Sequence, residues 1–116
     1  MATRKGAGAL NNIVVFQQRE AVRDEGGGTS QDWVDKFETA ARLQPRLGSE
    51  SDIAARTQGI QPYTLVVRSE PRTRGVTPAW RARNKRTGIL YEIQSCANPD
   101  EVNQYIEMRA VVQGGG

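Results

Sequence analysis

The sequence predicts a mainly β protein: a small antiparallel β-barrel of about six strands, with one short helix in a long loop. Three observations carry that expectation. Apolar and polar residues alternate with period two along several stretches. β-Branched and aromatic residues concentrate in the same stretches. Turn signals containing glycine or proline separate them at the spacing that antiparallel pairing needs, and there is no internal repeat. At 116 residues and 12.8 kDa the chain makes one domain. Its expected boundaries are a flexible N-terminal arm over 1–10, the barrel over 11–113, and a flexible tail over 114–116.

The first strand is read in "NNIVVFQQREAV", Asn11–Val22, from its β-branched and aromatic content. "RDEGGGTSQ", Arg23–Gln31, is a polar glycine-rich loop. "DWVDKFETAARL" then alternates: Trp33, Phe37, Ala41 and Leu43 share one parity, whereas Lys36, Glu38 and Arg42 take the other. That is a strand with one buried face, and with the first strand it makes a hairpin. Gln44–Pro62 breaks the pattern. Its flanking prolines, Ser49 or Ser51 as N-cap, "DIAART" and Gly59 predict a short helix inside a long loop.

"YTLVVRSE", Tyr63–Glu70, returns to strand composition, and "PRTRGVTP" reads as a turn-rich crossing. "AWRARNKR" alternates, with Arg81, Arg83 and Lys85 opposite Trp80 and Ala82. Thr87-Gly88 is a turn, and "ILYEIQSC" follows with Ile89, Tyr91 and Ile93 on one face. In "ANPDE", Asn98 before Pro99 starts a second turn, and Asp100 can bond nearby backbone N–H groups. The final run places Ile106, Met108, Ala110 and Val112 together, as a strand.

Composition narrows the function. A hydrophobic fraction of 37% and a mean hydropathy of -0.61 allow a lean core, with surface to be completed by partners. No apolar run approaches the roughly 18 residues of a membrane span, and "MATRKGAGAL" lacks the apolar region of a secretory signal. The single cysteine excludes an internal disulfide. These features fit a protein made in the cytoplasm and used there or built into something larger. The chain has no histidine, so the usual general base and metal ligand are missing, and one cysteine cannot form a thiolate zinc site. Neither "GAG" nor "GGG" has the context of a phosphate loop. No catalytic, cofactor-binding or metal-ligating residue is expected, and an enzyme is a poor reading.

Three features could carry chemistry. Cys96 lacks a histidine or helix N-terminus to lower its pKa, so a small packing residue is the expectation. Asp100 and Glu101 are adjacent carboxylates on a turn, which usually face water and lack a shared cleft. The basic residues Arg68, Arg72, Arg74, Arg81, Arg83, Lys85 and Arg86 stand against Glu70 alone in their stretch, while the whole chain is only +3. Such a cluster can contact phosphates or a neighbouring subunit; a solvated strand face is the plain alternative. Arg81, Arg83 and Lys85 are the candidates for that contact. Trp80 and Tyr91 are expected in the core rather than as base-stacking platforms.

Taken in order, several segments resemble one family, the tailed-phage head-tail joining proteins, also called head-closure, head-completion or stopper proteins. The marks are "IVVFQQRE", the glycine-rich loop before "DWV", "ARLQPRLGSE" leading into a short helix, "YTLVVRSEP", and "GVTPAWRARNKRTGILYEIQSCANPDE" before a last strand. The resemblance runs from Leu10 to Val112. It implies a barrel that joins a ring of twelve copies in the virion, with the portal and its adaptor above and a tail or tail-terminator protein below. On the same resemblance, packaged double-stranded DNA would pass through the lumen, with no membrane involved. It also implies a channel-facing loop, here Gln44–Gln61, whose charges are Arg46, Glu50, Asp52 and Arg56. Unlike the common pattern, this chain has no histidine in the third strand. Two alternatives stand beside this reading: a tail-terminator or tail-completion ring, and a free-standing nucleic-acid-binding barrel.

Overall fold

The computed structural model describes residues 10–23, 25–97 and 104–113. Six antiparallel strands close on themselves in the order β1-β2-β3-β6-β5-β4. They are β1 (Asn12–Arg23), β2 (Thr29–Pro45), β3 (Ile60–Arg68), β4 (Trp80–Asn84), β5 (Leu90–Ala97) and β6 (Tyr105–Gln113). Helix α1 (Glu50–Thr57) lies between β2 and β3, and α2 (Pro71–Arg74) between β3 and β4. The mainly β architecture with a short helix in the long loop is as the sequence predicts. The "NPDE" corner, the tail and the expected arm apart from Leu10 lie outside the described residues.

Alternation fills the barrel. Val14 and Phe16 from β1, Leu65 and Val67 from β3, Ala82 from β4, Tyr91 and Ile93 from β5, and Ile106, Met108 and Ala110 from β6 form the core. Aromatic rings brace it: Phe16 and Phe37 are 5.2 Å apart, Phe37 meets Trp80 edge-on at 6.1 Å, and Tyr63 meets Tyr91 edge-on at 5.0 Å. Trp80 and Tyr91 are therefore packing residues, as expected.

Three local expectations are corrected. Trp33 does not share the core face of Phe37. The register passes from Phe16↔Phe37 to Gln17↔Asp35, so Lys36 is an extra residue, a β-bulge that turns Asp35 and Trp33 to the outer face. The stretch "PRTRGVTP" contains α2 as well as turns. Pro71 opens the helix, while the buried Thr73 hydroxyl accepts from the Glu70 N–H at 2.9 Å and donates to the Arg68 carbonyl at 2.7 Å. Cys96 is exposed rather than packed in the core, although its Sγ lies 3.4 Å from the Val76 carbonyl oxygen. Burial around that sulfur raises its pKa, which agrees with an unreactive thiol.

Turn chemistry fixes the other junctions. Gly88 sits at φ +81 between β4 and β5, a left-handed conformation that glycine adopts without strain. Asn84 supports the same turn, its Oδ1 accepting from the N–H groups of Arg86 and Thr87.

The β1–β2 hairpin outgrows the barrel. β4 pairs with β1 along Val14–Gln18, and β3 pairs with β2 along Ala41–Pro45. Arg19–Arg23 and Thr29–Trp33 thus continue as a two-stranded ribbon, reaching roughly 17 Å past Gln18 at about 3.3 Å per residue. The described chain measures 58 × 36 × 25 Å.

Candidate functional site

Two charged surfaces contain the residues that the sequence singles out. The first is the outer face of β4, β1 and β2. Period two puts Arg81 and Arg83 outside the barrel while Ala82 between them is buried. The register sets Arg83 beside Val15, which pairs on its other side with Glu38, and sets Arg81 beside Gln17, which pairs with Asp35. Acids from β2 therefore face bases from β4 across β1. Lys85 Nζ lies 3.0 Å from Glu38 Oε1, and Arg83 lies 3.3 Å from Asp35 Oδ1.

Arg81 is held differently. Its Nε donates to Gln17 Oε1 at 2.6 Å, and the amide of that buried glutamine donates to Asp35 at 2.6 Å. The Arg81 guanidinium also stands 4.3 Å from the Trp33 ring centroid, with Arg19 at 5.5 Å from the same ring. The Gln17 amide first, helped by Arg83 and opposed by some burial, holds the Asp35 carboxyl below the ordinary carboxylate value. The three basic candidates do share one face. Two are ion-paired within the chain, and the third is stacked and hydrogen-bonded. Sequence reading missed Gln17, Trp33 and Asp35 as members of this network because the bulge at Lys36 conceals their common orientation.

Arg68, Arg72 and Arg74 belong elsewhere. Arg72 makes a two-point contact with Glu70 at 2.9 and 2.8 Å, Arg74 reaches Ser69, and Arg68 lies over Tyr105 at 5.6 Å. The clustering of bases in the sequence is thus divided in space between the β4 face and the region around α2.

The second surface is the loop between β2 and β3. Ser49 caps α1, its Oγ accepting from the Asp52 N–H at 3.1 Å. Asp52, 2% exposed, faces the barrel, where Arg109 Nη2 of β6 donates to it at 3.2 Å. Arg46 Nε is 3.5 Å from the same carboxylate oxygen, an ion pair without hydrogen-bond geometry, and Arg46 Nη1 donates to Thr64 at 3.0 Å. Burial would raise the Asp52 pKa, but Ser49, Arg109 and Arg46 outweigh it and the pKa falls.

Of the four loop candidates, Arg46 and Asp52 bind the loop to the barrel, whereas Glu50 and Arg56 are exposed. Arg109, the partner from β6, was not visible in the sequence as part of this group. An open cleft of about 590 Å³ lies beside the loop, lined by Arg42, Arg46, Leu47, Ser49, Thr64 and Glu107 among others. Its volume would suit a ligand, but its lining is charged and polar rather than the apolar enclosure typical of small-molecule sites.

The chain matches the family model described as "Phage head completion protein" over residues 6–113. No curated protein matches. Among solved structures, a chain from the virion of a native gene transfer agent (GTA) particle superposes with a TM-score of 0.64 at 23% identity. The match covers 96% of this chain and 97% of that one. Protein SF1141 from Shigella flexneri 2a also gives a TM-score of 0.64, at 18% identity, covering 93% and 96% of the two chains. At these identities the two structures establish likeness of fold.

Proposed function

The chain belongs to the phage head completion protein family, and on that premise we propose that its copies form a ring at the head-tail junction. In this reading the ring sits below the portal and its adaptor, closes the DNA-filled head, helps retain the genome and offers the tail its docking surface. The observation that carries it is the extent of the family match. Residues 6–113 include all six strands, the projecting hairpin and the α1 loop, so the likeness is not confined to a common barrel.

The physical character of the chain supports this use. The family is one of structural phage head proteins, and retaining DNA in a lumen needs geometry and charge rather than turnover. In the α1 loop, Arg46 and Asp52 would keep the base in place, leaving Glu50 and Arg56 to face the channel. The internal ion pairs of Arg83 and Lys85 favour a role for the β4 face in holding the barrel over contact with DNA.

Electron microscopy of a lysate made with a stop codon at Trp33 tests the proposal. The expected result is complete tails separate from heads, with the heads leaking or empty. Normally joined particles would overturn it. Joined particles that also carry abnormal tail lengths would instead indicate the tail-terminator alternative.

A further inference from the structure

The ribbon carries two strand edges for which no pairing exists among the described residues. β2 pairs with β1 from Thr29 to Ala41 but meets β3 only from Ala41 onward. Among the described residues, its outer edge along Thr29–Ala40 therefore has no neighbouring strand. On the opposite side, β1 is paired with β4 only as far as Gln18, which leaves Arg19–Arg23 as a second free edge. In an antiparallel strand about every other residue directs its N–H and C=O to a given side, so about half of each stretch offers both groups outward.

Edges of this length are usually blunted by proline, by a short strand, by a β-bulge or by charges that repel another chain. The bulge at Lys36 interrupts the β2 edge, so its unbroken pleat is Thr29–Asp35. Thr29–Ala40 contains neither proline nor glycine. It does contain charges, but most are neutralised inside the molecule: Lys36 by Glu20, Asp35 by Arg83 and Glu38 by Lys85. The defence that charge would supply is largely absent. A two-stranded ribbon is also marginal in water by itself, and a third strand would stabilise it.

We infer that the unbroken part of the β2 edge, within Thr29–Asp35, pairs with the β1 edge, Arg19–Arg23, of a second copy, so that ribbons join edge to edge around the ring. A second copy is the occupant because each ribbon carries both halves of the contact on opposite sides. Repeating one such contact is heterologous and runs in a single sense, the arrangement that a ring requires and that closes when the rotation between copies allows it. A symmetric two-copy pairing through β2 alone would leave the β1 edge free. The inference rests on the ring reading above and specifies the surface by which neighbours meet.

Short-reach bis-maleimide cross-linking tests it. Ala21 and Gln31 are exposed, one on each edge of the ribbon. Because they are cross-strand partners within one chain, Ala21→Cys and Gln31→Cys are introduced into separate copies, each also carrying Cys96→Ser. Joined particles assembled from the mixture should yield dimers of this chain at least tenfold above particles made with either variant alone. Joined particles containing both variants without mixed dimers would overturn the edge pairing and leave the ring reading standing. Cross-linking of Gln31→Cys to a different virion protein would also overturn it. Absence of the unmodified chain from joined particles would overturn both.

Should the cysteine variants not fold, hydrogen exchange on the unmodified chain decides. The outward-directed amides within 29–35, those not already bonded to β1, should exchange at least tenfold more slowly in joined particles than in the free protein. Equal rates would defeat the inference.

Discussion

Thr73 concentrates several requirements in one hydroxyl. It is 1% exposed, accepts from the Glu70 N–H and donates to the Arg68 carbonyl, joining the end of β3 to α2. Thr73→Val keeps the volume but leaves two partly buried backbone groups without that partner, and should lower stability by about 1–2 kcal/mol in denaturant unfolding. A loss below a few tenths would show that these groups find other partners. Asp52 gives a prediction in pH. Its folded-state pKa is lowered, so its contribution is present above the unfolded value of about 3.9 and is lost as pH falls through the lower folded value. Thermal unfolding of the wild type and Asp52→Asn should differ near pH 6, with the variant less stable, and converge well below pH 4. A gap that stays constant with pH would exclude the carboxylate as its source. Neither role could be read from the sequence: Asp52 looked like one exposed loop charge among four, and its partner Arg109 is 57 residues away.

At the scale of elements, legibility follows how local the determining physics is. α1 was readable because Ser49, the helical stretch and Gly59 are close in the chain, and the structure places the cap at Ser49 and Gly59 at φ +83. Ser49→Ala should cost about 1 kcal/mol of stability. The β4–β5 turn was equally readable. Gly88→Ala forces a side chain into φ +81 and should cost roughly 1 kcal/mol, measured in the same denaturant series. If both substitutions are neutral, these local signals do not determine the junctions. α2 escaped because four residues carry no periodicity, and its cap works through contacts to β3. The bulge at Lys36 escaped for a related reason. A period-two pattern assumes an unbroken pleat, and one inserted residue reverses every orientation beyond it. The sequence therefore places Phe37 and Ala41 correctly, but not Trp33.

For the whole molecule, the relevant quantity is how much of the basic charge remains available. The chain is +3, and a count along the sequence makes the stretch from Arg68 to Arg86 look like a polyanion site. Folding changes that count by bringing acids from β2 against Arg83 of β4 and Lys85 just beyond it. Purified protein should accordingly bind double-stranded DNA weakly at physiological salt, with few counterions released. Replacing Asp35 and Glu38 by Asn and Gln removes the internal partners of Arg83 and Lys85 without changing side-chain size appreciably. The double variant should then bind DNA more tightly at low salt. Its log-log salt dependence should steepen by about 2, since each new phosphate contact adds about 0.9. Fluorescence anisotropy across a salt series measures both quantities. A slope unchanged by the double substitution would mean that the face is kept from DNA by shape rather than by its ion pairs. A steep slope already present in the wild type would mean that the pairs open in solution, and the stand-alone nucleic-acid-binding alternative would gain weight over a purely structural use of β4.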